Sequence, residues 1–85
     1  MAKLKIPPKQ TTKKDPLREI LAQNVRRLRI EQAVSQEELA FRCELDRTYI
    51  SAIERCVWNI SLGNIEKIAA ALHVEPWQLL LAQKN

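Results

Sequence analysis

Apolar residues recur along this chain at intervals of three and four residues, which is the spacing of one face of an α-helix. The longest such stretch predicts a first helix from Pro16 to about Gln32. No segment alternates between apolar and polar residues over a useful length, and the chain has a single glycine, so the pattern predicts an all-α fold. The apolar face of the first helix consists of Leu17, Ile20, Leu21, Val25 and Leu28.

Two short helices follow, each with a polar residue placed to cap its first turn. Ser35 and Glu38 form the pattern of a capping box, in which each side chain bonds a backbone N–H at the helix start. This second helix is expected to end near Cys43, and Asp46 is a good N-cap for a third helix that runs to about Arg55. Core residues expected from these helices are Leu39, Ala40, Cys43, Ile50 and Ile53.

The C-terminal part of the chain predicts two further helices. Ser61 is placed to cap a fourth helix, and Pro76 stands where a short fifth helix would begin. The inner face of the fourth helix consists of Leu62, Ile65, Ile68, Ala69 and Leu72.

Positive charge is concentrated at the N-terminus. Residues 1–15 contain five lysines and one aspartate, which accounts for the whole formal net charge of +4. These residues carry prolines and no apolar period, so we expect a disordered basic arm, followed by one domain over residues 16–82 and a tail over residues 83–85. Because the domain itself is neutral, the basic pI does not by itself indicate a nucleic-acid partner.

Several function classes are disfavoured by the residues present. Cys43 and Cys56 are too irregularly spaced for a disulfide framework, and with His73 as the single histidine we expect neither a zinc site nor an enzyme. No stretch approaches the ~18–20 apolar residues of a membrane span, and the N-terminus lacks the apolar region of a secretory signal. We therefore expect a cytoplasmic protein without membrane contact, cofactor or small-molecule effector.

The outward face of the predicted third helix carries the main functional signal. When its two isoleucines point to the core, the opposite side is short, polar and ends in arginine. Small side chains let a helix approach the floor of the DNA major groove, where arginine binds guanine bidentately and methyl groups contact thymine. Small polar faces also occur at protein contacts, so an antitoxin or adaptor that binds another protein stays open as an alternative. The outward residues are Thr48, Ser51, Ala52 and Arg55, with Arg47 on the flank.

The order and spacing of these motifs resemble one family of DNA-binding proteins. Residues 35–55, with the first helix and the fourth helix that flank them, are similar to the helix-turn-helix of the Cro and phage-repressor (XRE-type) family. The stretch from Leu45 to Arg55 also looks like the controller proteins of restriction–modification systems. The resemblance covers roughly residues 17–81 and implies a compact five-helix, lambda-repressor-like domain that binds double-stranded DNA.

The resemblance also implies roles for individual residues. The base-reading positions of the third helix are occupied by Arg47, Thr48, Ser51 and Ala52. The family's ion pair between the first helix and the recognition helix corresponds to Arg29 and Glu54. Residues expected at DNA phosphates are Ser35, Gln36, Arg27, Tyr49, Arg55 and Asn59. Plain structural alternatives stay open for Gln36 as a first helical residue, Tyr49 as a core-edge aromatic and Arg27 on a solvated face.

Three residues depart from the pattern of the family. Glu44 stands in the turn where the family usually has glycine, so a left-handed backbone there would be strained. Cys56 replaces the glycine that usually ends the recognition helix. Trp58 falls where relatives often carry a basic residue, which puts one DNA contact in doubt.

The C-terminus carries more apolar residues than one core stripe can accept. Three consecutive leucines spread over about 200° of a helix, so either one is simply exposed or the surplus forms an interface. In the resembling family the last helix pairs in a two-fold dimer, which implies a transcription regulator that binds a palindromic operator as a homodimer. The recognition helices would then lie about 34 Å apart. The interface residues implied are Trp77, Leu79, Leu80 and Leu81.

Overall fold

The computed structural model describes residues 16–83, which form four α-helices and one 3₁₀ helix without any strand. In chain order these are α1 (Pro16–Glu31), α2 (Gln36–Cys43), α3 (Arg47–Glu54), α4 (Leu62–Ala71) and the 3₁₀ helix (Pro76–Leu80). The all-α prediction is confirmed. No helix within residues 16–83 is long and apolar enough to cross a membrane. The predicted basic arm, residues 1–15, and the last two residues of the predicted tail lie outside the described residues.

Three helices begin at the capping residues that the sequence indicated. The Ser35 hydroxyl accepts the backbone N–H of Glu38 at 2.9 Å. Asp46 and Ser61 accept a backbone N–H in the first turns of α3 and α4, at 2.8 and 3.1 Å. Each bond satisfies an N–H group that has no partner inside the helix. In the predicted capping box of α2, only the bond to the Ser35 hydroxyl is formed. The Glu38 carboxylate instead accepts from Arg42 at 3.0 Å.

All four α-helices end in the same way, although the chain has almost no glycine. A residue with a left-handed backbone, φ between 58° and 63°, follows each helix. The next residue then donates its N–H to the carbonyl five positions earlier, at 2.9 to 3.0 Å, which is the Schellman motif. Left-handed backbone at a residue with a Cβ costs about 1–2 kcal/mol. The left-handed residues are Ala33, Glu44, Cys56 and His73, and the apolar residues after them are Val34, Leu45, Val57 and Val74.

One hydrophobic core lies between the helices. α2 packs against α3 and α4, α1 packs against α3, and the 3₁₀ helix closes the core against α1 and α4. Full burial of an aliphatic side chain contributes about 1.5–3 kcal/mol, so these contacts stabilise helices that are too short to persist alone. The largest fully buried apolar side chains are Val25, Leu39, Ile50, Ile53, Ile68, Leu72 and Leu79.

The predicted fifth helix differs from the expectation in its type and in the face it buries. It is a five-residue 3₁₀ helix, with three residues per turn, rather than a turn of α-helix. Leu79 is 0% exposed, so its predicted place at a dimer interface is wrong, because its side chain is needed to complete the core. Trp77 and Leu81 remain 60% and 51% exposed, and Leu80 is half-buried.

Candidate nucleic-acid interface

A tight turn joins α2 and α3 and fixes the angle between them. Glu44 lies in the left-handed region with φ 60° and ψ 39°, as the sequence pattern anticipated. The Leu45 N–H donates to the Ala40 carbonyl at 2.9 Å, and the Leu45 side chain packs against the core. Asp46 then starts α3. The two helices are therefore held by a backbone bond before the turn, by the Asp46 cap after it and by side-chain packing.

The outward face of α3 is polar and open to solvent. Arg47, Thr48 and Arg55 are exposed, and Ser51 is partly exposed. Arg55 donates through Nε to the Ser51 hydroxyl at 3.3 Å, which extends the guanidinium along this face. Four of the predicted DNA-contacting residues thus share one accessible surface on a single helix.

The expected outward position of Ala52 is wrong. Its side chain is 1% exposed, so it cannot contact a base. A helical wheel aligned on Ile50 and Ile53 alone gives only one direction towards the core. In the structure α3 packs against both α1 and α2. The buried arc of α3 is therefore wider than a two-residue stripe, and the small Ala52 side chain lies within it.

A nearly buried ion pair anchors the end of α3 to α1. Arg29 donates to both carboxylate oxygens of Glu54, through Nε at 2.7 Å and through Nη2 at 3.0 Å. This is the pair that the family resemblance implied, and its side chains are 14% and 2% exposed. The hydrogen bond to Glu54 raises the pKa of Arg29, with burial opposing and the attraction of Glu54 adding to this effect. Arg29 also donates to the Val34 carbonyl at 2.9 Å, which holds the end of α1.

Gln36 connects the start of α2 to the same carboxylate. Its Nε2 donates to Oε1 of Glu54 at 3.0 Å. An amide nitrogen carries two hydrogens, so this bond leaves one donor for a second acceptor. Gln36 also lines a shallow polar depression between α2 and α3, with Arg29, Ser35, Glu37 and Arg47. This depression opens at the N-terminus of α2, where backbone N–H groups favour an anion.

An aromatic pair flanks the other side of α3. Tyr49 packs against Trp58 with ring centroids 5.8 Å apart and an interplanar angle of 47°. The Tyr49 hydroxyl accepts from Nδ2 of Asn64 at 2.9 Å, so its own proton remains available for an acceptor. Trp58 is 46% exposed. Tyr49 is therefore a core-edge aromatic whose hydroxyl is also placed to donate.

Two of the predicted phosphate contacts lie apart from this surface. Arg27 is on α1, where it donates to Asn24 at 3.2 Å and pairs with Glu31 at 3.4 Å. Asn59 is exposed and lines an apolar groove beside Leu17 and Leu62. The structure thus brings the predicted DNA-contacting residues of α2 and α3 together, whereas Arg27 and Asn59 lie at the margins of that surface.

Comparison with known protein families identifies the family to which this arrangement of helices belongs. Residues 25–76 match the helix-turn-helix family. The chain belongs to that family. α2 and α3 are the two helices of its helix-turn-helix, and α3 occupies the place of the recognition helix.

Several helix-turn-helix proteins that are similar to this chain carry the names of regulators. A solved structure of a hypothetical transcription factor from Neisseria is 55% identical, with a TM-score of 0.77 over 94% of this chain and 91% of that chain. Control protein C.BamHI of Bacillus amyloliquefaciens is 54% identical over 65 residues, which cover 75% of this chain and 80% of that protein. The controller protein C.Esp1396I, solved as a tetramer in complex with its natural 35 base-pair operator, is 33% identical with a TM-score of 0.72 over 78% and 87% of the two chains.

An apolar surface lies away from the helix-turn-helix. Leu17 and Leu62 are 53% and 79% exposed and border a groove of about 270 Å³, which Leu80 also lines. Trp77 and Leu81 add exposed apolar area on the 3₁₀ helix and just after it. The sequence pattern placed Leu17 on the apolar face of α1 and Leu62 on the inner face of α4, and the exposure of both side chains shows that this expectation is wrong.

Sequence reasoning missed two polar side chains, one on α1 and one in the segment just after α1. Asn24 is 1% exposed and bonds to the backbone around Leu79, and Gln32 donates to the Leu72 carbonyl at 2.7 Å. The signal for Asn24 was its position, because it lies three residues after Leu21 on the inner stripe of the helix. A polar residue on an apolar stripe needs buried partners, and these come from the 3₁₀ helix.

Proposed function

We propose that this chain is a transcription regulator that binds double-stranded DNA sequence-specifically as a homodimer on a palindromic operator, in the cytoplasm. The observation that carries the proposal is the rigid, polar outward face of α3, with Arg47, Thr48, Ser51 and Arg55 accessible together. The named relatives support it, because they are a transcription factor and controller proteins, one of them solved on its operator. The fold fits a lambda-repressor-like DNA-binding domain whose fifth helical element is a 3₁₀ helix.

Base reading in this proposal falls to three residues of α3. Arg47 reaches a guanine edge, where its guanidinium donates to O6 and N7 together. Thr48 and Ser51 are short enough to let the helix approach the bases. Each of their hydroxyls can donate or accept.

Phosphate contacts surround this reading face and position it without reading sequence. Ser35 and Gln36 offer the N-terminus of α2 to one phosphate, with the free N–H of the Gln36 amide. Tyr49 and Arg55 donate on the two other sides of α3. Asn59 and Arg27 contact the backbone only where the DNA curves towards the margins of the protein.

A homodimer supplies the two reading helices that a palindrome requires. The exposed apolar residues Trp77 and Leu81, with Leu80 and the groove next to it, provide the surface that a second copy covers. Two α3 helices about 34 Å apart reach successive major grooves on one side of the duplex. The tetramer of C.Esp1396I on its operator favours the same use of paired copies.

The function is tested by selection of bound duplexes from a random pool, followed by titration of the selected site at several salt concentrations. The expected site is two-fold symmetric, and log K falls by about 0.9 per phosphate contact for each unit of log salt. Arg47→Ala should weaken binding by about 1–3 kcal/mol and relax the preference at one base pair of each half-site. Arg42→Ala is the matched control, since Arg42 is also an exposed arginine but pairs with Glu38 on α2. Equal losses for all sequences would instead assign Arg47 to a phosphate, and no selected site at all would refute the function.

A further inference from the structure

Asn24 is the one polar residue within residues 16–83 whose backbone and side chain together are buried, at 1% exposure, and its partners are unusual. Its Nδ2 donates to the carbonyls of Leu79 and Leu81 at 2.8 and 2.9 Å, and the Gln78 carbonyl lies at 3.4 Å. Three backbone oxygens around one nitrogen fix the orientation of the amide, because the flipped amide would place an oxygen against oxygens. A buried amide that is fully bonded in this way holds a specific arrangement of the backbone.

The start of the 3₁₀ helix is capped, because the Glu75 N–H donates to Oε1 of Gln78 at 2.7 Å, but the C-terminal end that Asn24 holds has little of its own to fix it. The 3₁₀ helix has five residues, and the Leu81 N–H reaches the Gln78 carbonyl only at 3.5 Å. Leu79 is the only side chain of the segment that is fully buried. Leu79 fixes how deep the segment sits, while Leu80 packs only partly against the core. The bonds from Asn24 to the carbonyls of Leu79 and Leu81 further restrict rotation of this end of the segment about its axis.

The rotation of this segment decides which apolar side chains face outward. With Leu79 inward and its carbonyl bonded to Asn24, Trp77 and Leu81 lie on the surface at 60% and 51% exposure. These residues belong to the surface that the proposed homodimer covers. A segment that rolled about its axis would present a different set of atoms to a partner copy.

The other end of the Asn24 amide points towards Arg27. The Asn24 Oδ1 accepts from Nη2 of Arg27 at 3.2 Å, while Nη1 of Arg27 pairs with Glu31. The arginine thereby orients the amide from the side of α1. Two consecutive hydrogen bonds thus lead from a partly exposed arginine on α1 to the backbone of the C-terminal segment.

We infer that Asn24, oriented by Arg27, is a positioning residue that sets the C-terminal segment for homodimer formation. The inference rests on the homodimer of the proposed function. It assigns to one buried amide a role in assembly that is separate from its share in the stability of the fold. Loss of the amide should therefore weaken the dimer by more than the loss of another long-range side-chain bond near α1.

The experiment measures the dimer dissociation constant of the full chain by sedimentation, at a temperature well below the unfolding transition. Asn24→Ala removes all bonds of the amide, and Asn24→Asp keeps its shape while removing both N–H donors. Both should raise the dissociation constant about tenfold or more. Gln32→Ala is the matched control, because it also removes a side-chain bond to a distant carbonyl, that of Leu72 at 2.7 Å, and should leave the constant within about twofold.

A second readout follows the segment itself. With Trp58→Phe as the common background, Trp77 is the single tryptophan of the chain, and the Asn24 variants should make its fluorescence more accessible to acrylamide under monomeric conditions. A wild-type dimer whose dissociation constant is unchanged by both Asn24 substitutions would overturn this inference and leave the proposed function intact. A wild-type monomer at all concentrations would overturn both. Failure of both variants to fold would show that Asn24 serves the whole fold, and would equally refute a role confined to the segment.

Discussion

The ion pair between Arg29 and Glu54 gives a sharp test of how the recognition helix is held. Glu54→Gln preserves the size of the side chain and removes its charge. Arg29 donates to both carboxylate oxygens, at 2.7 and 3.0 Å, whereas a glutamine amide has one oxygen and would turn its N–H groups towards one of the two arginine nitrogens. The bond from Gln36 at 3.0 Å ends on the same carboxylate. One substitution therefore disturbs three hydrogen bonds that join α1, α2 and α3.

The expected loss can be estimated from the burial of the pair. Removal of one charge from a buried pair destabilises a protein by about 3–5 kcal/mol. Arg29 keeps 14% exposure and its bond to the Val34 carbonyl, so we expect the lower end, about 3 kcal/mol. Each kcal/mol shifts the Tm of a domain of this size by about 4–8 °C, so the Tm should fall by about 12–24 °C. The pKa of Arg29 is raised, so its stabilisation is lost only as pH rises through that raised value, and the effect is constant near neutrality.

The assay is thermal and urea unfolding followed by circular dichroism. Glu38→Gln is the matched control, because it makes the same chemical change in the exposed pair with Arg42, whose side chains are 37% and 49% exposed. An exposed pair contributes at most about 1 kcal/mol, so the control should shift the Tm by less than about 8 °C. The double variant Arg29→Met, Glu54→Leu should recover much of the loss, since no charge is left buried. A loss for Glu54→Gln no larger than for Glu38→Gln would refute the reasoning.

Three further predictions concern other residues. Glu44→Gly and Cys56→Gly should each raise the unfolding free energy by about 0.5–1 kcal/mol, because they relieve left-handed strain; unchanged urea midpoints would contradict this. Trp58→Arg should steepen the slope of log K against log salt by about 0.9 if its position faces a phosphate, whereas Trp58→Phe should leave the slope unchanged. Burial raises the pKa of the Cys43 thiol, with Lys67 opposing, so its contribution to stability should be lost as pH rises through that raised pKa. Cys43→Ala should abolish this alkaline loss in urea titrations.

Features determined by local chemistry could be predicted from the residues themselves, whereas distant contacts could not, and the Arg29–Glu54 pair was implied only by the family resemblance. Ser35, Asp46 and Ser61 were recognisable as caps because a cap needs only its own side chain and the next turn of backbone. Leu79 was misplaced because its burial depends on how α1 and α4 meet the 3₁₀ helix. Ala52 was misplaced because two core residues define the centre of a buried face but not its width.

The helix ends also show that glycine is an incomplete signal for a left-handed residue. The sequence pattern singled out Glu44 and Cys56, since glycine is usual at those positions in the resembling family. The structure has the same Schellman ending after α1 and α4 as well, at Ala33 and His73. The common signal is the apolar residue that follows each left-handed position. Three of these residues, Val34, Leu45 and Val74, pack against the core, whereas Val57 is 51% exposed.

Under the proposed function, the affinity for DNA also depends on residues outside the reading face of α3. An isolated helix of eight residues is unstable in water, so the position of α3 must come from its surroundings. Its start is fixed by the Asp46 cap, its middle by Ile50 and Ile53 in the core, and its end by Glu54 bonded to α1 and α2. A loosened α3 moves the whole reading face together. Substitution of Glu54 should therefore lower the affinity for all sequences alike, whereas substitution of Arg47 should change the preference at one base pair, and the ratio of specific to non-specific binding distinguishes the two.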